Sequence, residues 1–288
     1  MSQRVVLVTG AAGGIGKCVA ELIDKKKYKL RLMIRSKTNK KQTDAIGSFG
    51  EIVEGTLDNF EGLKQVFAGV DTIIHLAGVP DANATWESLR AANIDGAYNV
   101  FVAARAAGVK RVVFASSIHA ISGSPRDFQA KTYEPVNPGD LYGVTKCFGE
   151  ALARYMAEQE GLSAIAVRIG AFQPHASARK EDGGLWMMDA WLSQRDCVHL
   201  FECCIDAPAD LKFAIVHGLS KNTFQRMDIT DTCHLLGYKP QDNFTSEYPS
   251  LKPYKLEEKI VAHNVWDPEQ KSGLRDQLPT MERDGKKK

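Results

Sequence analysis

Four residues near the middle of the chain could carry proton chemistry together: Ser117, His119, Tyr142 and Lys146. Tyr142 and Lys146 are four apart in Tyr142-Gly143-Val144-Thr145-Lys146, so on a helix they share one face and an ammonium can sit beside a phenol. A free phenol loses its proton near pH 10, and a neighbouring cation favours the phenolate, so this tyrosine could exchange a proton with an alcohol near neutrality. A Tyr and a Lys at this spacing are common on helix surfaces, and the pair gains meaning from what precedes it. Ser117 closes Phe114-Ala115-Ser116-Ser117, the end of an apolar run that reads as a strand. Parallel α/β sheets place ligand contacts at such strand ends, where a serine hydroxyl can hold a substrate oxygen. His119 follows two residues later, and its residue type alone fits a structural histidine as well as a substrate hydrogen-bond donor.

A second cluster lies near the N-terminus, in Val8-Thr9-Gly10-Ala11-Ala12-Gly13-Gly14-Ile15-Gly16. It follows a strand-like run and opens a segment carrying Val19, Leu22 and Ile23 at helical spacing. Gly10, Gly13 and Gly16 permit a tight turn, close backbone approach to a pyrophosphate and close helix–strand packing, while N–H groups at the helix start attract the anion. Ala12, Gly14 and Ile15 complete this cofactor loop. An acidic residue at the end of the second strand marks NAD binders, because its carboxylate accepts from the ribose hydroxyls and repels a 2′-phosphate. Here that strand ends Met33-Ile34-Arg35-Ser36-Lys37, with no acidic residue from Lys25 to Thr43. The guanidinium of Arg35 suits a phosphate dianion, so NADP is the preferred cofactor and NAD the second candidate.

The elements that must position these residues are legible as short apolar runs alternating with helical periods. The runs are Val5 to Val8, Leu30 to Ile34, Ile52-Val53, Thr72 to Leu76, Val112 to Ala115 and Ala164 to Val167. Unbroken runs of this kind suit strands buried on both faces of a parallel sheet. Leu89, Asn93, Ala97, Val100, Phe101 and Ala104 mark the core face of a long helix that Gly108 ends. A second long helix runs from about Tyr142 to Glu160, with Phe148, Leu152, Tyr155 and Met156 assigned to its core side. The fold expected is α/β, a doubly wound parallel sheet of Rossmann type with a small C-terminal substrate lobe. Residues 1–172 would form the dinucleotide-binding core with the catalytic residues. Residues 173–249 would form the lobe, with a short helix at Gly184 to Trp191, a strand at Phe213 to Val216 and, at Leu235-Leu236-Gly237-Tyr238, a terminal helix running into a turn. Residues 250–288, rich in Lys, Glu, Asp, Pro and Gln, read as a polar, partly disordered tail.

Composition narrows the function classes. Lys and Arg number 37 against 35 Asp and Glu, a net +2 that gives no global basic field for nucleic acid, so a small-molecule substrate is the expected partner. No apolar stretch approaches the roughly 18 residues of a spanning helix and no signal peptide is visible, so no membrane partner and a cytoplasmic location are expected. The six cysteines contain no C-x-x-C pair, and no metal site is expected.

Several motifs in one order identify the chain as similar to the extended short-chain dehydrogenases, the NAD-dependent epimerase/dehydratase family, over roughly residues 4 to 240. They are the glycine loop, Asp71 with His75-Leu76-Ala77-Gly78, Asn93 in Ala92-Asn93-Ile94-Asp95-Gly96, Ser116-Ser117, and Tyr142 with Lys146. The resemblance implies that Tyr142 is the acid/base, that Lys146 lowers its pKa and holds the nicotinamide ribose, and that Ser117 orients the reacting oxygen. It also implies that Leu76, Ala77 and Gly78 line the nicotinamide site, that Asn93 supports the active-site helix, and that Thr56 and Leu57 belong to the cofactor contacts. Such members transfer a hydride between the nicotinamide and a hydroxyl or carbonyl carbon, here of a small, sugar-derived substrate. The alternatives are a nucleotide-sugar epimerase or dehydratase and a non-catalytic dinucleotide sensor. A homodimer through the two long helices is also implied.

Within the family the likeness runs nearest to the uronate dehydrogenases, through Phe114-Ala115-Ser116-Ser117-Ile118-His119, Leu141 to Glu150, Val167-Arg168-Ile169-Gly170 and Trp191-Leu192-Ser193. Three positions depart from them. Ile118 stands where those enzymes place Asn, Pro80 where they place Ser, and Trp186 where they place a carboxylate-binding Arg. Only His119 remains of that polar set, which implies a less charged or more apolar alcohol or aldehyde in place of a uronate.

Overall fold

All six apolar runs form strands: stretches of Val, Ile and Leu suit the inside of a covered sheet, and the shortest run, Ile52-Val53, lies half-buried in the edge strand. The structure, a computed structural model, describes residues 3–125 and 127–253. Its strands are β1 (Arg4–Thr9), β2 (Tyr28–Ile34), β3 (Glu51–Glu54), β4 (Thr72–His75), β5 (Arg111–Ser117), β6 (Ser163–Ile169), β7 (Ala171–Phe172), β8 (Trp191–Leu192) and β9 (Phe213–Gly218). The helices are α1 (Gly14–Leu22), α2 (Lys40–Ile46), α3 (Phe60–Phe67), α4 (Trp86–Leu89), α5 (Gly96–Ala106), α6 (Leu141–Glu158), α7 (His175–Ala178), α8 (Gln194–Asp206), α9 (Thr230–Leu236) and α10 (Phe244–Glu247). Seven strands form one parallel sheet in the order β3-β2-β1-β4-β5-β6-β9. The strand order reverses between β1 and β4, the point at which open α/β sheets bind ligands beyond the carboxyl ends of their strands.

Two apolar layers cover the sheet. On one face Val6, Val8, Ile74, Val113, Ile165 and Val167 pack with Val19 of α1 and with Cys197, Phe201 and Cys204 of α8. On the other, Leu7, Ile73, Val112 and Ala164 pack with Leu63 and Phe67 of α3, Phe101 and Ala104 of α5, and Ala153 and Met156 of α6. β9 lies in the main sheet beside β6, and α8 covers it, so both elements serve the core layers. A separate apolar cluster of Ala178, Met187, Trp191, Phe244, Tyr248 and Leu251 holds the C-terminal segments, and β7 and β8 pair beside it.

Three local expectations change. The helix containing Leu89 to Ala104 is interrupted by a π-helical turn at Arg90–Asp95, between α4 and α5, with Asn93 buried in it. Gly184 to Trp191 is not a helix: a 3₁₀ turn covers Leu185–Met187, and Trp191 begins β8. On α6 the core face is also different. Met156 is buried as expected, but Phe148 is 37% and Tyr155 51% exposed, and the side against the sheet holds Tyr142, Thr145, Lys146, Gly149, Glu150 and Ala153. Close approach explains the exchange, because a Cβ at Gly149 would lie 2.1 Å from the Phe114 ring. The helix backbone thus rests on β5 through small residues, while Leu141, Val144, Phe148 and Tyr155 face outward. Apart from residues 250–253, the tail lies outside the described residues. Among the described residues no helix is long and apolar enough to cross a membrane.

Candidate active site

The carboxyl ends of β1, β4 and β5 and the start of α6 meet at one edge of the sheet. At β1, Gly10 turns the chain with φ +66, and a Cβ there would fall 2.9 Å from the Ala77 nitrogen. A Cβ at Gly16 would fall 2.3 Å from the Gly10 carbonyl oxygen, so both positions require glycine. Gly13 and Gly14 are exposed, Ala12 and Ile15 half-buried, and no side chain caps the start of α1. The helix therefore presents backbone N–H groups over a glycine surface, which fits a pyrophosphate.

Thr9 ties this loop to β4. Its Oγ1 accepts the N–H groups of Leu76 and Ala77, each at 3.1 Å, and lies 2.8 Å from Nδ1 of His75. With two amides on its lone pairs, the hydroxyl gives its proton to Nδ1. Burial, together with the positive charge of Lys146, holds the His75 imidazole at a pKa of about 3, so it stays neutral. A Cβ at Gly78 would lie 2.8 Å from Asn93 Oδ1 and 3.9 Å from Lys146 Nζ, so the space beside these groups stays open only to glycine.

Asn93, on the π-helical turn, accepts the Val79 N–H at 2.8 Å and donates from Nδ2 to the Val79 carbonyl and to Thr145 Oγ1, each at 3.1 Å. It joins the β4 loop to α6 one residue before Lys146. Thr56 and Leu57 follow β3, where the Leu57 carbonyl accepts from Asn99 of α5 at 2.8 Å. Arg35, directly after β2, is exposed. Beside it, the Lys37 N–H donates to Glu54 Oε2 at 2.8 Å.

Ser117 ends β5, with its hydroxyl close enough to the Tyr142 phenol to favour the phenolate. Burial pushes the phenol pKa up, the Ser117 contact opposes that, and the charge of Asp140 adds to it. Lys146 is buried and donates to the Ala115 carbonyl at 2.8 Å. Burial lowers the Lys146 ammonium to about 8. Its Nζ lies 5.4 Å from the centre of the Tyr142 ring and 5.2 Å from that of Phe114. The expected lowering of the phenol by Lys146 is therefore not found in the protein alone, where loss of solvation is the larger effect. An ammonium has three N–H donors, and among the described residues one is used, which leaves two for hydroxyl groups of a ligand.

Three further residues escaped the sequence reading. Glu150, one turn beyond Lys146, receives two hydrogen bonds of 2.9 Å from Arg168 of β6 and one of 2.6 Å from Ser116. Its signal was the four-residue step from 142 to 146 to 150, paired with a charged residue inside an apolar strand. Asp140 caps α6 by accepting the Gly143 N–H at 2.7 Å, and its other oxygen lies 2.6 Å from Nδ1 of His119. An Asp just before a helical run is an N-cap signal. Ile118 is half-buried, Pro80 exposed and Trp186 66% exposed.

Comparison with known proteins places these features in context. The sequence profile of the NAD dependent epimerase/dehydratase family matches residues 6–182. The chain is 37% identical over 254 residues to the NAD-dependent glucose-6-phosphate dehydrogenase of Haloferax volcanii, covering 84% of this chain and 94% of that one. It is 30% identical over 255 residues to the L-arabinose 1-dehydrogenase (NAD(P)(+)) of the same organism, covering 83% and 96%. Its fold matches a mutant uronate dehydrogenase from Agrobacterium tumefaciens complexed with NAD, with TM-score 0.74, 34% identity and coverage of 85% of this chain and 87% of that one.

Proposed function

We propose a reaction for a chain that belongs to the NAD-dependent epimerase/dehydratase family: oxidation of a sugar-derived hydroxyl to a carbonyl by hydride transfer to a nicotinamide dinucleotide. The observation that carries it is the Tyr142 phenol, beside Ser117 and with the buried Lys146 ammonium 5.4 Å from its ring centre, at the sheet edge that holds the glycine loop. Tyr142 Oη takes the substrate's hydroxyl proton while the carbon's hydrogen leaves with its electron pair. Ser117 holds the reacting oxygen. The dinucleotide, when bound, supplies the hydride acceptor. The start of α1 would hold its pyrophosphate, Lys146 its ribose, and Leu76 to Gly78 would line the nicotinamide. Each additional hydrogen bond or positive charge that Lys146 or the ligand brings to the phenol favours the phenolate and works against burial. The relatives act, by their names, on glucose 6-phosphate, L-arabinose at carbon 1 and uronate, so the anomeric carbon of a sugar is the proposed site of oxidation.

Of the two dinucleotides, NADP is the proposed preference. Arg35 is exposed at the end of β2, and the nearby Glu54 carboxylate is engaged by the Lys37 amide. The guanidinium is then available to a 2′-phosphate. A homodimer is also proposed. Leu141, Val144, Phe148 and Tyr155 are each 37% exposed or more and recur at helical steps along α6, and Tyr98 of α5 is 52% exposed. An apolar stripe of this kind is covered when two copies of the helix pair meet about a twofold axis.

Three measurements test this. Tyr142→Phe should lower turnover by about 100-fold or more and leave dinucleotide affinity within a few-fold; near-normal turnover would remove the proton transfer from Tyr142. Arg35→Ala should weaken NADP binding by about tenfold or more and NAD binding far less, measured by titration calorimetry; equal losses would show that Arg35 does not read the phosphate. Sedimentation should give twice the 31.7 kDa chain mass at micromolar concentration, and the chain mass itself after Phe148→Glu with Tyr155→Glu. A monomer in the unsubstituted protein would exclude the dimer.

A further inference from the structure

Asp140 makes two separate contacts, one with each carboxylate oxygen. Oδ1 accepts the Gly143 N–H at 2.7 Å and so starts α6. Oδ2 lies 2.6 Å from Nδ1 of His119. The histidine is fixed on its backbone side as well. Its N–H donates to Ser117 Oγ at 3.2 Å, and a Cβ at Gly143 would fall 2.3 Å from its carbonyl oxygen. The imidazole stands edge-on to the Tyr142 ring with 5.2 Å between centroids, and the side chain is 37% exposed. Among the described residues, its Nε2 has no hydrogen-bond partner.

A carboxylate oxygen can only accept a hydrogen bond. In the neutral imidazole the ring proton therefore sits on Nδ1, facing Asp140, and Nε2 carries a lone pair. From this geometry we infer that Asp140 fixes the tautomer of His119, so that Nε2 accepts a hydrogen bond from a substrate hydroxyl and the site selects a neutral sugar over the corresponding uronate. The inference rests on the proposed function, in which Tyr142 takes the proton of a sugar hydroxyl, and on the His119 imidazole standing beside the Tyr142 ring, where it meets the same substrate. It reverses the donor role that the sequence reading gave His119. On the neutral ring a carboxylate brought to Nε2 would set lone pair against lone pair, whereas a hydroxyl supplies the missing proton. Asp140 adds a negative charge behind the ring. Ile118, Pro80 and Trp186 bring neither a cation nor an amide side chain to compensate a carboxylate. Sites built around a hydrogen bond to the substrate discriminate strongly against analogues that cannot complete it.

Two substitutions separate Asp140's effect on the ring from its effect on the helix, because Asn and Ser both cap helices well. Asn has one accepting oxygen. While that oxygen caps Gly143, the NH₂ faces Nδ1, which must then accept, and the ring proton moves to Nε2. Ser caps but does not reach the imidazole. Nitrogen-15 NMR of the ring, above about pH 8 where an ordinary imidazole is neutral, reads the proton's position directly, with the His119 signals identified by their loss in His119→Gln. The wild type should show the proton on Nδ1, and Asp140→Asn should show it on Nε2. The ratio of kcat/KM for a neutral aldose to that for its uronate should fall about tenfold or more in Asp140→Asn. In Asp140→Ser, kcat/KM should fall for both sugars through KM. A wild-type ring protonated on Nε2, or an unchanged substrate ratio in Asp140→Asn, would overturn the inference. Should no sugar turn over, the dehydrogenase reading fails by itself. The ring nitrogens still decide the tautomer, and binding of the same two sugars, followed by saturation-transfer NMR, decides the preference.

Discussion

The paired hydrogen bonds between Glu150 and Arg168, 2.9 Å each, join α6 to β6 with both side chains at least 96% out of solvent. A buried ion pair contributes little net stability, because desolvating two charges costs about as much as their attraction returns. Its effect is directional. The planar guanidinium accepts one arrangement of the carboxylate, and Ser116 occupies a remaining lone pair at 2.6 Å. Glu150 lies one turn after Lys146 and two turns after Tyr142, so the rotation and height of both residues over β5 follow from it. The Asp140 cap fixes the first turn of the same helix, and the Lys146 contact with the Ala115 carbonyl fixes the second. Removing one partner would strand a buried charge, so loss of either member is strongly destabilising.

Burial governs the electrostatics that result. It pushes the Tyr142 phenol up, the Lys146 ammonium down to about 8 and the His75 imidazole down to about 3. A phenol raised in the protein alone is a poor base, and a buried ammonium with a single protein acceptor is a costly one. Both conditions are relieved by a ligand that adds hydroxyl groups around Lys146 and positive charge near Tyr142. The site thus favours binding of its dinucleotide before proton transfer, and the open space preserved at Gly78 lies where that ligand would meet Lys146.

Much of this was legible in the sequence, for physical reasons. Strands buried on both faces need unbroken apolar runs, so the central strands could be placed, and Gly10 and Gly16 mark backbone approaches that exclude any side chain. The extent of α6 was legible too. Its orientation was not, because helical periodicity reports an apolar face without saying what will cover it. Phe148 and Tyr155 were assigned inward, but the sheet accepts small and charged residues that satisfy one another, and these two face out. Helix α8 was missed although Cys197, Phe201, Cys204 and Ile205 follow its period, because polar residues and paired cysteines obscure the pattern. The π-helical turn around Asn93 has no local sequence mark. Asp140 was overlooked because its second contact, with His119, depends on the fold bringing the 3₁₀ turn at Ile118–Ile121 against the start of α6.

Hydride transfer from a sugar carbon at the Tyr142 centre is the step to which every contact described above contributes. Its most direct test follows the hydrogen itself, using an aldose deuterated at carbon 1 and mass spectrometry of both products. The account predicts slower turnover than with the unlabelled sugar and deuterium recovered on the nicotinamide ring. Deuterium that returns to the sugar, as a transient-oxidation epimerase would leave it, or that exchanges into water, would contradict it.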